Sequence, residues 1–422
     1  MRSWRVLVLS AVVTLVVIGL AVIVGVMGQR ASGGPRESDY LAGSTDSCVT
    51  CHRRASPGIV DQYGRSAMAA AKVTCQDCHA VPADYPGAEQ HEGATILASP
   101  TPARCQRCHE REVAQFNQSR HSVPAFVAYA GTAALTPPFR KLYDAIPEGQ
   151  PTDKVRNALF AIEGKDITDF ACVKCHEVGE PRLDGSVGKC QKCHLRHEFS
   201  ISQARKPETC NNCHIGPDHP HWEIYHESPH GVMYETQGSQ WNWKARPDTL
   251  TPVDMPAPTC ATCHMSGFAG ASTTHDVGDR LTWFLFSEVS ERRPAWESNR
   301  ARMQTVCFSC HNSKFITSYY AAADTATEQV NKWVRDSQAL VAPLRDKGLL
   351  TKEPFDEPIE FEQFELWHHW GRTAKFGVWM QGPDYVQWHG AYEITKSMVE
   401  LKDMVHQKLA AQPSEEKPKE AP

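Results

Sequence analysis

The chain has 422 residues, with 44 Lys and Arg against 49 Asp and Glu, so a net charge of -5 gives no basic bias toward nucleic acid. Apolar residues make up 41%, enough for a globular core and too little for a multi-span membrane protein. The counts that stand out are 16 cysteines and 20 histidines.

In chain order, Arg2 and Arg5 precede an uncharged run of 22 residues from Val6 to Met27. At about 1.5 Å per residue the run reaches about 33 Å, against a hydrocarbon core of about 30 Å. A cleaved signal has a shorter apolar core and a small-residue cleavage site. Gly28-Gln29-Arg30 is not such a site. Residues 1–28 therefore read as an uncleaved signal-anchor, a single transmembrane helix with its positive end in the cytoplasm. The expected location is periplasmic or otherwise extracytoplasmic, tethered to the cytoplasmic membrane. Residues 29–45 form a Gly/Ser/Pro linker, and 46–312 hold every cysteine. Residues 313–410 read as three long helices, Phe315–Leu344, Ile359–Met380 and Asp384–Leu409, with apolar positions three and four apart. The tail, 411–422, is polar and Pro-rich, with the composition of a disordered segment. Strand signals are few, so the fold class is mainly α.

The cysteines form eight C-x-x-C pairs: Cys48/Cys51, Cys75/Cys78, Cys105/Cys108, Cys172/Cys175, Cys190/Cys193, Cys210/Cys213, Cys260/Cys263 and Cys307/Cys310. Each is followed at once by histidine: His52, His79, His109, His176, His194, His214, His264 and His311. C-x-x-C-H is the attachment motif of c-type haem. Two thiols three residues apart meet the two vinyl groups on one edge of the porphyrin, and the next imidazole ligates the iron. Disulfides or a zinc ribbon would use the cysteine pairs but need no histidine after each. With 20 histidines in 422 residues, chance places one at a given position roughly one time in twenty, so eight in register are not accidental. The reading is eight covalently attached haem c groups in a multihaem cytochrome body.

Twelve histidines remain for the opposite face of each iron. An electron wire needs every iron six-coordinate, whereas an enzyme needs one open position. A short repeat, aromatic-x-x-Ser-x-His, ends at His121 (from Phe116) and at His230 (from Tyr225), each near the end of an expected helix. The same frame from Tyr63 ends at Met68, a legitimate axial ligand or a core residue. His91, His197 and His275 also stand where ligands are plausible. His197 is too close to His194 to serve the same iron. His406 reads as solvated.

The segment His214-Ile-Gly216-Pro217-Asp218-His219-Pro220, running into Trp222-Glu-Ile-Tyr225 and His230-Gly231, resembles the octahaem hydroxylamine oxidoreductase family. The resemblance continues through Cys263-His264-Met265, Thr274-His275-Asp276-Val277-Gly278, Trp367-His368-His369, Gly371-Arg372, and Gly382-Pro383-Asp384-Tyr385 into Trp388-His389-Gly390. It covers about residues 45–410.

The resemblance implies that the fourth haem, on Cys172, Cys175 and His176, is five-coordinate and catalytic. Asp218 and His219 would line its open face, with Tyr319 or Tyr320 beside them. The other haems would relay electrons. Their distal ligands would come from His91, His121, His197, His230 and His275, with others among Met68, His368, His369 and His389. A helical bundle after the last motif and a homotrimer are also implied. A C-terminal tyrosine, Tyr385 or Tyr392, would be the candidate for a cross-link to a catalytic haem.

The chemistry of the pair stands without the resemblance. A histidine titrating near neutrality accepts protons as electrons leave a bound nitrogen compound, and an adjacent carboxylate raises its pKa. Run backwards, the pair delivers protons. The blander reading is that Asp218 caps a turn and His219 is one more haem ligand. The first expectation is oxidation of hydroxylamine or hydrazine. The alternative is the same site reducing nitrite, nitric oxide or hydroxylamine, fed from the quinone pool. A second alternative is an electron-transfer-only octahaem cytochrome. A sulfur-oxyanion or lysine-ligated nitrite reductase is disfavoured, because all eight motifs are regular and end in histidine. The expected partners are a small nitrogenous substrate and a quinone-linked or periplasmic cytochrome redox partner, with no nucleic acid.

Overall fold

The computed structural model describes residues 41, 43–146 and 153–411. The expected membrane helix, most of the linker and the tail beyond residue 411 lie outside the described residues. Among the described residues no helix is long and apolar enough to cross a membrane. The fold is mainly helical. Among the described residues the one sheet is an antiparallel hairpin, Glu89–His91 with Ala94–Ile96, in which Glu89 faces Ile96.

The described residues divide into two compact units, one up to Asp77 together with Leu195–Ser200, the other Cys78–His194 together with those from Ile201 onward. In the first, the Asp46 carboxylate accepts from Cys48 N at 2.8 Å and starts the helix Ser47–Ala55. Pro57 opens Pro57–Gly64, and Ser66 caps Ala67–Ala70 by accepting from Ala69 N. These helices enclose Leu41, Val49, Val60, Tyr63 and Ala69. His197 joins them through its backbone N–H, which donates to Gln62 Oε1 at 3.1 Å.

In the second unit the motifs share one local design. His109, His194, His214 and His311 each donate a backbone N–H to the carbonyl of the first cysteine of their motif, at 2.9–3.0 Å. Each of these motifs is thus a single helical turn. Residues three apart on such a turn share a face, so both thiols point the same way. Helices Glu110–Gln118, Val123–Ala130 and Pro137–Ala145 fill the long gap before Cys172.

Beyond the last motif, the helix Ser313–Asp346 runs 34 residues from an Asn312 cap. Its buried residues Ile316, Tyr320, Ala323, Thr327, Val330, Val334, Ser337, Val341 and Leu344 keep a three-and-four spacing. Helices Pro358–Glu365, Arg372–Met380 and Tyr392–Ala410 pack on it around Ile359, Leu366, Ala374, Ile394 and Leu401. The three expected helices are present. The second and third are interrupted by π-turns at Leu366–Gly371 and Gln387–Ala391. A π-turn adds a residue per turn and re-aims the side chains that follow.

Candidate functional site

Two motif histidines, His176 and His79, are oriented for metal binding through Nε2. His176 Nδ1 lies 2.6 Å from the Ala125 carbonyl, and His79 Nδ1 lies 2.7 Å from that of Leu97. A ring nitrogen facing a carbonyl carries the proton, which leaves the Nε2 lone pair for a metal. Among the described residues, the motif rings of His194, His311 and His214 each face a histidine from elsewhere in the chain. His194 and His275 have centroids 6.3 Å apart, His230 and His311 6.1 Å, and His121 and His214 5.9 Å. An ion about 2 Å from each nitrogen, plus about 1 Å from nitrogen to ring centre, spaces two rings by roughly 6 Å. The residues therefore fit an iron held between each pair.

The repeat seen in the sequence makes two of these pairs. Ser119 ends the helix Glu110–Gln118, and its Oγ accepts from His121 N at 2.9 Å. Ser228 ends His221–Glu227 and caps the next helix through Gly231 N. Both serines are buried, so each holds its chain reversal where a histidine must turn inward. The third copy behaves differently: Met68 packs beside the apolar cluster of the first unit.

Motifs that are distant in sequence meet in space. The thiols of Cys105 and Cys190, Cys175 and Cys213, and Cys210 and Cys260 lie within hydrogen-bonding reach of each other. The third motif thus abuts the fifth, the fourth the sixth, and the sixth the seventh.

The expected attachment cysteines are not enclosed alike. Cys51, Cys108 and Cys310, the second cysteines of the first, third and eighth motifs, are exposed, whereas Cys78 of the second motif is half-buried. The Cys78 carbonyl accepts from Arg104 Nε at 3.3 Å. Cys108 and Cys310 are placed by their own turns, each donating its N–H to the first cysteine's carbonyl at 3.1 Å. A single helical turn sets the spacing of two thiols, but burial needs a neighbouring element packed over them. For Cys51, Cys78, Cys108 and Cys310 the assignment as haem-attachment residues therefore rests on the motif itself.

Asp218 and His219 follow the sixth motif on a turn begun at Gly216, whose φ of +88° suits glycine. Thr373 Oγ1 donates to Pro217 O at 3.1 Å and clasps this turn to the helix Arg372–Met380. His219 Nδ1 lies 2.5 Å from Asp218 Oδ1, and His219 Nε2 lies 2.6 Å from the Cys213 carbonyl. Both ring nitrogens thus face acceptors, which only a doubly protonated imidazole satisfies as donor. Burial pulls the His219 pKa down, but the hydrogen bond and charge of Asp218 outweigh it and the net shift is upward. For Asp218, burial acts to raise the pKa. His219, His368 and Arg372 reverse this and hold it at about 2.

Arg372 closes the other side. Its Nη1 lies 3.4 Å from Asp218 Oδ2 and 2.9 Å from His368 Nε2, while Nε and Nη2 donate to Phe286 O at 3.0 and 2.7 Å. Guanidinium has no acceptor, so His368 Nε2 accepts and that ring stays neutral. Burial and the Arg372 charge hold the His368 pKa at about 3. The fourth motif is within electrostatic reach, since the charges of His219, Lys154 and Asp218 all act on His176.

The other expected site residues have the following neighbours. Tyr320 hydrogen-bonds with Cys307 of the eighth motif, under the Arg300 guanidinium at 4.9 Å. Tyr319 donates to Val378 O. The side chains in contact with Asp218 and His219 include His368, Arg372, Phe286, His214 and His221. His389 Nε2 lies 3.1 Å from Asp384 Oδ2, its ring stacked on Tyr385 and half exposed. His369 lies against Phe364 and Trp370. His91 is exposed on the hairpin, and His197 stands against Phe199 in the first unit. Tyr392 is half exposed beside Trp388. Phe286 and His221 were not singled out from the sequence, and Arg372 was quoted there only within the resemblance, with no role. Gly371-Arg372, two residues past the expected His368-His369, was the available signal.

Residues 71–358 match the family described as multi-haem cytochrome, seven times CxxCH. The chain belongs to this family. The matched stretch holds seven of the eight motifs of this multihaem cytochrome, and the Cys48–His52 motif precedes it. The cytochrome is 31% identical over 377 residues to a probable nitrite reductase-hydroxylamine oxidoreductase fusion protein of Kuenenia stuttgartiensis. That alignment covers 74% of this chain and 39% of the relative, so the cytochrome spans well under half of that protein's length. Among solved structures, a hypothetical multiheme protein matches with a TM-score of 0.75 at 24% identity, over 91% of this chain and 98% of that one. A reducing HAO-like protein complex of Kuenenia stuttgartiensis matches with a TM-score of 0.64 at 19% identity, over 89% and 87%. Homology to hydroxylamine oxidoreductase-like proteins is therefore real and distant. The multihaem cytochrome carries multiple covalent haem c groups on its CxxCH motifs, consistent with the fit of the residues.

Proposed function

We propose that this cytochrome carries eight haems and is an oxidoreductase of small nitrogen compounds, with its reacting site at the fourth motif. The observation that carries this reading is the Asp218–His219–Arg372 constellation beside His176, which a pure electron wire does not need. When bound, the haem of Cys172, Cys175 and His176 supplies an iron that ligates the substrate and exchanges its electrons.

The protein's own residues handle the protons. His219 is held doubly protonated between Asp218 and the Cys213 carbonyl, so its resting state is a proton donor. Asp218, kept ionised by Arg372, orients His219 and stabilises its charge. A donor at rest suits reduction of nitrite, nitric oxide or hydroxylamine, since each reductive step consumes protons. The names of the relatives, one a nitrite reductase fusion and one a reducing complex, point the same way. Oxidation of hydroxylamine or hydrazine is the second reading, favoured by the same residues once His219 has lost its proton. A quinone-linked membrane or periplasmic cytochrome as electron donor, an anchor at residues 1–28 and a homotrimer belong to the same proposal.

Stopped-flow spectroscopy of the full haem-loaded chain tests it. Prereduced protein is expected to be reoxidised by nitrite or hydroxylamine faster than oxidised protein is reduced by hydroxylamine. His219→Asn should slow turnover by about 10²–10⁴-fold, the usual worth of a placed acid or base. Low-spin spectra unmoved by nitrite or hydroxylamine would leave an eight-haem wire.

A further inference from the structure

His79, His176 and His214 each have a defined partner on Nδ1, and one partner is unlike the other two. His79 and His176 face backbone carbonyls. His214, of the sixth motif, faces the Nδ1 of another imidazole, His221, at 3.0 Å. The local chain fixes this contact. His221 N donates to His219 O at 2.7 Å, and Trp222 N donates to His214 O at 3.1 Å, so the turn folds back on the motif. Phe376 at 4.2 Å and Phe286 at 5.8 Å hold the His221 ring in place.

The protons on this contact follow from chemistry. A ring whose Nε2 binds metal carries its proton on Nδ1, so His214 donates and His221 Nδ1 accepts. An imidazole nitrogen is a far better proton acceptor than an amide carbonyl. A better acceptor on the outer N–H makes the ligating nitrogen more basic. A more basic axial ligand favours the oxidised metal.

We propose that His221 is a positioning residue that lowers the reduction potential of the haem attached at Cys210 and Cys213, by accepting the hydrogen bond of its ligand His214. The inference depends on haem attachment at that motif alone, and not on the direction of catalysis or on the presence of an enzyme activity. Its consequence concerns flow. The sixth motif touches the fourth through Cys213 and Cys175 and the seventh through Cys210 and Cys260, so a lowered potential there makes that haem, when bound, a readier electron donor to either neighbour.

The test is a spectroelectrochemical titration of the full haem-loaded protein as wild type, His221→Phe and His221→Gln. His221→Phe should raise the potential of one haem component by about tenfold in its reduction equilibrium, ~59 mV for one electron. His221→Gln, which keeps a carbonyl acceptor, should fall between. The component that moves should be the one that turns high-spin in His121→Ala, which opens the ring opposite His214. A superimposable titration curve for His221→Phe with its full haem complement would overturn the proposal. So would a Gln variant shifted as far as Phe, since loss of packing alone would then account for both.

Discussion

At the scale of single residues, one carboxylate is shared between two cations. Asp218 gives Oδ1 to His219 and Oδ2 to Arg372, and the two bonds do different things. The first raises the His219 pKa. The second keeps Asp218 from taking the proton itself. Arg372→Met would leave Asp218 facing His368, which the same arginine keeps neutral, and would strip Phe286 O of both donors. Breaking a buried charge pair from one side costs about 3–5 kcal/mol, and the partial exposure of Asp218 puts this one near the lower end. Urea unfolding of the haem-loaded variant reads it.

The pH dependence follows with its sign. The folded pKa of His219 lies above its unfolded value, so its stabilisation is complete below about 6.5 and is lost as pH rises through the folded value. Asp218 contributes above its ordinary 3.8 and loses this as pH falls toward about 2. Lys375 works against His219. It is fully buried on Ser290 Oγ at 2.8 Å, and desolvation pulls its pKa down to about 7. Between about pH 7 and 10.5 the unfolded chain binds the proton more tightly than the folded one, so Lys375 makes stability rise with pH across that window. Lys375→Met should abolish this rise in a pH series of melting temperatures and leave the rest of the profile intact.

At the scale of elements, the C-terminal helices are set by close approach at one glycine. A Cβ on Gly390 would meet Tyr385 O at 2.6 Å and Ala374 Cβ at 2.8 Å. Gly390→Ala should therefore cost about 1–3 kcal/mol by pushing Tyr392–Ala410 off Arg372–Met380. Leu401, fully buried in the same bundle, should cost about 2–5 kcal/mol as Leu401→Ala. Thermal unfolding followed by far-UV circular dichroism measures both. The pair matters beyond stability, because Arg372 and Thr373 open the helix that clasps the Asp218 turn. The Gly390 variant should lower turnover as well as stability, while Leu401→Ala, farther along the helix, should affect stability alone.

At the scale of the whole molecule, the motif order in space differs from the order in the chain. Third beside fifth, fourth beside sixth and sixth beside seventh, with Cys193 of the fifth in electrostatic reach of Cys210 of the sixth and Cys263 of the seventh in reach of Cys307 of the eighth, make a connected path with the fourth as a side branch of the sixth. The three ring pairs give this path spectroscopic handles. His275→Ala and His230→Ala should each convert one low-spin signal to high-spin in EPR, from the haems held by His194 and His311. The two variants should affect different signals and be additive in the double variant.

The sequence by itself determined the haem attachment, the mainly helical class and the three long C-terminal helices. Each rests on contacts within a few residues: a cysteine and its following histidine, a serine and the helix it ends, apolar positions three and four apart. It also named His121, His230 and His275 and the Asp218–His219 pair. Only the tertiary structure decided which histidine faces which. His275 meets His194 and His230 meets His311 across some eighty residues, and no local periodicity records such a partner. It also decided which attachment thiols are covered, leaving Cys51, Cys108 and Cys310 exposed while Cys105 and Cys190 meet. The same holds for Arg372, which reaches Asp218 from 154 positions away through a π-turn that spacing rules do not anticipate. Tyr319 and Tyr320 make the converse case. Their place after the last motif was legible, but the helix that carries them directs one to Val378 and the other to Cys307. Short-range chemistry is written residue by residue along the chain, whereas the pairing of distant groups is settled only when the core packs and fixes every distance at once.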